Sequence, residues 1–279
     1  MKTILIPVDF SETSTNALEY AIELIKDIEV DRIVLLKTFY KSVYEQILPS
    51  ADFVLLSVED VQAERDEINA QLKSLTERLL KKCDPSVKVQ TVISELPLLR
   101  SIHQLIGEVH PDLLIVGGDD PASQDESYIG QHVIGIAKTS PVPVMIIPAC
   151  ATYEKIRRAL VPCDFTMVSR LSILKSLHSP LEWLHPELVV LNIDPKQTHI
   201  SHEEEHADML KELLEGYTYH IQYAEDKNTV KGILKFARTN DVQLVTALPG
   251  KYSFFYKVTH NSTTEALTAN VCQPILILK

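Results

Sequence analysis

Five residues, HEEEH from His202 to His206, match the H-E-x-x-H pattern of zinc hydrolases. On a helix, two histidines four apart share a face and can hold one zinc, with the adjacent glutamate as general base. That chemistry needs a third ligand. Met209 stands where one class of these enzymes carries a glycine, and Glu225 and Asp226 fall at a strand end rather than on a downstream helix. In SHEEEHADMLKELLEG, Met209, Leu210, Leu213 and Leu214 make an apolar stripe and Gly216 is the expected C-cap. The glutamates suit the start of such a helix. The expectation is therefore a solvated helix face. His199, His202 and His206 are kept as weak candidates for a divalent cation, without peptidase chemistry.

Nucleophilic chemistry has less support. No G-x-S-x-G elbow or spaced Ser–His–Asp set occurs, and Ser11 and Thr166 read as helix caps rather than nucleophiles. Cys83, Cys150, Cys163 and Cys272 lie far apart and form no C-x-x-C pair. Neither a disulfide framework nor a cysteine zinc site is expected, and a reducing cytoplasm is the default location. Cys163 reads as a small core residue.

The elements that would position any site follow from composition and repetition. The chain has 279 residues, 45% hydrophobic and 23% charged, with a net charge of −11. That is a soluble globular composition, and it argues against partners that need a basic face, such as nucleic acid or an anionic membrane. The charge is uneven: residues 1–150 carry 13 basic and 23 acidic groups, net −10, and the remainder 14 and 15, net −1. The opening apolar run ends at Pro7 and Asp9, too short for a signal peptide, and no stretch approaches a membrane span.

The chain repeats itself. TILIPVDFSETS returns as RALVPCDFTMVS, matching Pro7 with Pro162, Asp9 with Asp164 and Phe10 with Phe165. RIVLLKTF pairs with ELVVLNID, and PVPVMII with CQPILIL. Two homologous domains, 1–150 and 151–279, are expected. In each, short Val/Ile/Leu runs without polar alternation read as parallel strands buried on both faces, and the stretches between them as amphipathic helices. The implied fold is α/β, a doubly wound sheet in each domain, with ligands at the carboxyl ends of the strands.

PVDFS after the first strand, the strand–loop LLIVGG and the closing PVPVMIIP together resemble the universal stress protein family. The resemblance covers essentially the whole chain, twice. It implies a five-stranded parallel sheet in the order 3-2-1-4-5 in each domain. It also implies antiparallel pairing of the last strands, so that Val142–Ile147 and Pro274–Leu278 would join the halves as an internal pseudo-dimer. Further dimerisation of the tandem chain is compatible with it.

The same resemblance implies AMP, ATP or another adenine compound as the ligand class, held by the Asp after the first strand and by a glycine loop after the fourth. Carried onto the first domain, the ligand-binding positions are Pro7, Asp9, Gly117, Asp120, Gly130 and Gln131. Asp120 and Gln131 depart from the family's Gly and Ser or Thr. The loop GGDDPASQDESYIG is acidic with no basic residue, which opposes polyphosphate more than AMP or adenosine. In the second domain the equivalents are Asp164, Lys251, Asn261 and Ser262, and the bulky YSFFYKV replaces a flexible glycine loop. Asp9 has a second reading, as the cap of the following helix, and both stay open; capping is the expectation for Asp164. No resident cofactor is read from the sequence.

Function is accordingly expected to be non-catalytic stress-response binding or regulation, with an adenine-type pocket in the first domain and an unidentified protein partner. A ligand-free interaction scaffold with both nucleotide sites degenerate is the alternative. A weak nucleotide hydrolase stands behind these, without a positioned base or metal set.

Overall fold

The computed structural model describes residues 2–40, 58–118, 127–163, 180–195, 208, 210–247 and 272–279. Ten strands among them form one sheet. The first half supplies β1 (Thr3–Pro7), β2 (Arg32–Thr38), β3 (Lys88–Ser94), β4 (Leu113–Gly117) and β5 (Val144–Ile147). The second supplies β6 (Arg158–Pro162), β7 (Glu187–Ile193), β8 (Tyr219–Ala224), β9 (Leu244–Ala247) and β10 (Ile275–Ile277). Their order is β3-β2-β1-β4-β5-β10-β9-β6-β7-β8, so each half repeats the expected 3-2-1-4-5 arrangement. Every pairing within a half is parallel, and β5 meets β10 antiparallel with Met145 opposite Leu276.

Burial explains the strand sequences. β1 and β4 are buried at every position, whereas the edge strands β3 and β8 keep exposed residues. Side chains alternate between two cores: Ile4, Ile33 and Ile115 face one, and Leu5, Val34, Leu114 and Val116 the other. Helix α1 (Glu12–Leu24) covers the first face with Leu18, Ala21 and Ile22, joined there by Leu72 and Leu79 of α2 (Val58–Lys82). On the other face lie α3 (Leu98–Val109) and α4 (Tyr128–Thr139). The second half adds the short α5 (Pro180–Leu184), and α6 (Thr229–Thr239), which covers the same face as α3.

Equivalent backbone ties confirm the repeat locally. The Asp112 carboxylate accepts from Thr3 N–H at 2.7 Å, and Gln243 Oε1 accepts from Arg158 N–H, its counterpart, at 3.0 Å. The linker is fastened to α1. Asn16 donates to the carbonyls of Pro148, Ala149 and Ala151, and Tyr153 packs edge-on against Tyr20 while its hydroxyl donates to Asp27. Lys279 Nζ reaches across the seam to the Ala137 carbonyl, and Lys2 Nζ lies 5.1 Å from the Trp183 ring.

One expectation is overturned. Cys150 and Cys272 are joined by a disulfide, with their Cα atoms 5.2 Å apart although 122 residues separate them in sequence. The β5–β10 pairing carries the end of the first half beside the start of the last strand, which cysteine spacing alone does not reveal. Cys163 is buried, as expected of a core residue, and Cys83 is half-buried; both are free. No helix among the described residues is long and apolar enough to cross a membrane.

Candidate functional site

The carboxyl end of β1 turns sharply. After Pro7 and Val8, Phe10 takes a φ of 70°, and Ser11 caps α1 by accepting from Ser14 N–H. This turn aims the Asp9 side chain across the strand ends. Its Oδ1 accepts from Ser11 N–H at 3.1 Å and from the Ser11 hydroxyl at 2.5 Å. Its Oδ2 accepts from Ile129 N–H at 2.9 Å and from the Ser127 hydroxyl at 3.0 Å. Ser127 is itself the N-cap of α4 and accepts from Gly130 N–H at 2.9 Å. One carboxylate therefore links the starts of two helices 118 residues apart along the chain.

The electrostatics follow from those bonds. Burial pushes the Asp9 carboxyl up, but hydrogen bonds from Ile129 and Ser11 outweigh it and hold the group below its ordinary value. A carboxylate at a helix N-terminus also gains from the free N–H groups and the helix dipole. Asp9 thus occupies an anion position at the start of α4.

The expected residues divide. Pro7, Asp9, Gly117 and Gly130 come together where β1 and β4 end and α4 begins. At Gly117 an added Cβ would stand 2.6 Å from the Thr13 carbonyl oxygen, so this glycine admits the first turn of α1 against β4. Gln131 follows on the first turn of α4 and is exposed. Asp120 lies outside the described residues, as do Asp164, Lys251, Asn261, Ser262, His199, His202 and His206. Beyond HEEEH the helix reading has support: Leu210 and Leu214 are buried, Leu213 packs beside them, and Gly216 has a φ of 93°. The described residues contain no group of three or more potential metal ligands.

Two participants were not anticipated. Ser127 is one; a Ser three residues before Gly130 at a helix start was its available signal. Lys37 is the other, the single charge in IVLLKTF. Its ammonium sits 4.7 Å from the Phe10 ring and donates to the Asp9 carbonyl at 3.4 Å. Burial pushes Lys37 below the usual lysine range, while Asp9 and Glu64 oppose the shift. In the second half Asn192 takes this place and donates to the Cys163 carbonyl at 2.9 Å.

Comparison with known proteins agrees with this architecture. The model of the universal stress protein family matches residues 1–148. A universal stress protein from Archaeoglobus fulgidus superposes with a TM-score of 0.65 at 16% identity, covering 99% of this chain and 98% of its own. One described as a putative universal stress protein, from Pseudomonas aeruginosa, gives 0.56 at 12% identity, over 100% and 93%. A search of curated proteins finds no match.

Proposed function

The chain belongs to the universal stress protein family, whose model spans more than half of it, and we propose that it is a non-catalytic, cytoplasmic binding and regulatory protein of the stress response. Its two units divide at residue 150. The first carries an adenine-type pocket at Pro7, Asp9, Gly117 and Gly130, with Asp120 and Gln131 on the phosphate side. One observation supports this reading and restricts it. The Asp9 carboxylate holds the Ile129 N–H and the Ser127 hydroxyl at the start of α4, where a ligand phosphate would need them. A second anion there meets an internal competitor as well as the acidic loop. Adenosine and AMP are therefore the favoured ligand chemistry and ATP the disfavoured one.

The saturation of Asp9 by its own chain also favours the second reading, a ligand-free scaffold that recruits a protein partner. Calorimetry with adenosine, AMP and ATP, with and without magnesium, separates the two. Binding of adenosine or AMP at least about tenfold tighter than ATP, roughly 1.4 kcal/mol, supports the pocket. Absence of any binding at millimolar concentration transfers the function to the scaffold. Phosphate release from ATP above a heat-killed control, abolished by Asp9→Ala, would contradict the non-catalytic reading.

A further inference from the structure

We propose that Cys150 and Cys272 are a reversible thiol–disulfide latch, closed by oxidation, that locks the seam between the two domains. This is independent of whether the first-domain cleft takes a ligand.

The position of the bridge carries the inference. The seam rests on a short antiparallel ladder, Ile275 to Ile277 against Ile146 to Val144. Cys150 lies three residues beyond the end of β5 and Cys272 three before the start of β10, so the bridge closes one end of that ladder. At the other end the Lys279 ammonium donates to the Ala137 carbonyl, a contact that redox chemistry leaves alone. The pair is not a product of the repeat. Pro141 stands at the first-domain position equivalent to Cys272. Two cysteines meeting at one end of a pseudo-symmetric seam are a local addition to it.

Accessibility separates this pair from the other thiols. Cys150 and Cys272 are both exposed, whereas Cys163 is buried and Cys83 half-buried. Burial also pushes the Cys83 thiol up, against the pull of Lys26, which lowers its thiolate fraction. In a reducing compartment an exposed bridge turns over with the small-thiol pool instead of persisting as a permanent staple.

The step balances with a small-molecule disulfide as the oxidant. One protein thiolate attacks a sulfur of that disulfide, giving a mixed disulfide and releasing one small thiolate. The second protein thiolate then attacks the protein-bound sulfur and releases the other. Two protein thiols are oxidised, one small disulfide is reduced to two thiols, and the two protons pass to the released thiolates. Reduction by a small dithiol runs the sequence backwards. Closing a loop of 122 residues restricts the unfolded chain, so the oxidised form is the more stable.

The test uses the full-length chain in oxidised and reduced glutathione mixtures, with acid quenching, alkylation of free thiols and peptide mass mapping. The expected result is a Cys150–Cys272 bridge that forms under oxidising ratios and opens in the folded protein with dithiothreitol. The bridged form should melt higher by at least about 5 °C, and the amides of Ile275, Leu276 and Ile277 should exchange faster once it opens. Cys150→Ser and Cys272→Ser should each abolish the bridge and the shift; if either variant fails to fold, the wild-type chain in its two redox states decides. Four alkylated thiols under oxidising ratios overturn the proposal. So does a bridge that opens only after denaturation, or one that leaves the melting temperature unchanged.

Discussion

At Asp9 the two carboxylate oxygens divide between two helix starts, Oδ1 toward Ser11 and Oδ2 toward Ser127 and Ile129. Asp9→Asn keeps the shape but replaces one acceptor oxygen with a donor, leaving N–H or O–H groups of one helix start unpaired. We expect a loss of about 1–3 kcal/mol at pH 7, measured by urea unfolding. The pH dependence has a definite sign. A carboxyl held below its ordinary 3.8 in the folded state adds stability that is complete above that value. The contribution is lost as pH falls through the lower folded value, so wild type should lose more stability than the Asn variant on acidification. Gly117→Ala drives a methyl into the Thr13 carbonyl, which is backbone and cannot swing aside; about 1–3 kcal/mol of destabilisation is expected in thermal melts. The Asp9–Ser127 contact was not legible in the sequence, because 118 residues and three strands intervene. The N-cap role of Ser11 was legible, because capping is local.

Among the elements, the strands showed themselves in sequence because burial on both faces removes polar alternation, as in TILIP. The resemblance to the universal stress protein family then implied the strand order and the β5–β10 pairing. Neither it nor the repeat pointed to the disulfide beside that pairing, because Pro141 stands where the second repeat carries Cys272. β10 is three residues long and sits between β5 and β9, with Leu276 fully buried. Leu276→Ala should cost about 2–5 kcal/mol, seen as a lower denaturation midpoint and faster amide exchange in both β5 and β10. Loss of exchange protection in β9 alone would mean that the seam is not continuous with the sheet.

For the whole molecule, charge asymmetry becomes a long-range effect. Residues 1–150 carry a net −10 against −1 in the rest, so the proposed adenine-type pocket lies in the more negative half. ATP bears more charge than AMP and is repelled more strongly, and salt screens that difference over a Debye length of about 8–10 Å. Raising ionic strength should therefore narrow the affinity gap between AMP and ATP without reversing it. A gap that stays constant with salt would assign the discrimination to contacts at the start of α4 alone.

Asp9, with its own chain as donor, holds the start of α4. An NMR titration of the full-length chain tests it directly, following the Asp9 carboxyl together with the amide protons of Ser11 and Ile129 from neutral pH to about pH 2. The expected result is one shared midpoint below 3.8 for all three signals, absent from both amides in the Asp9→Asn variant. Independent midpoints, or an Ile129 amide indifferent to Asp9, would contradict the account.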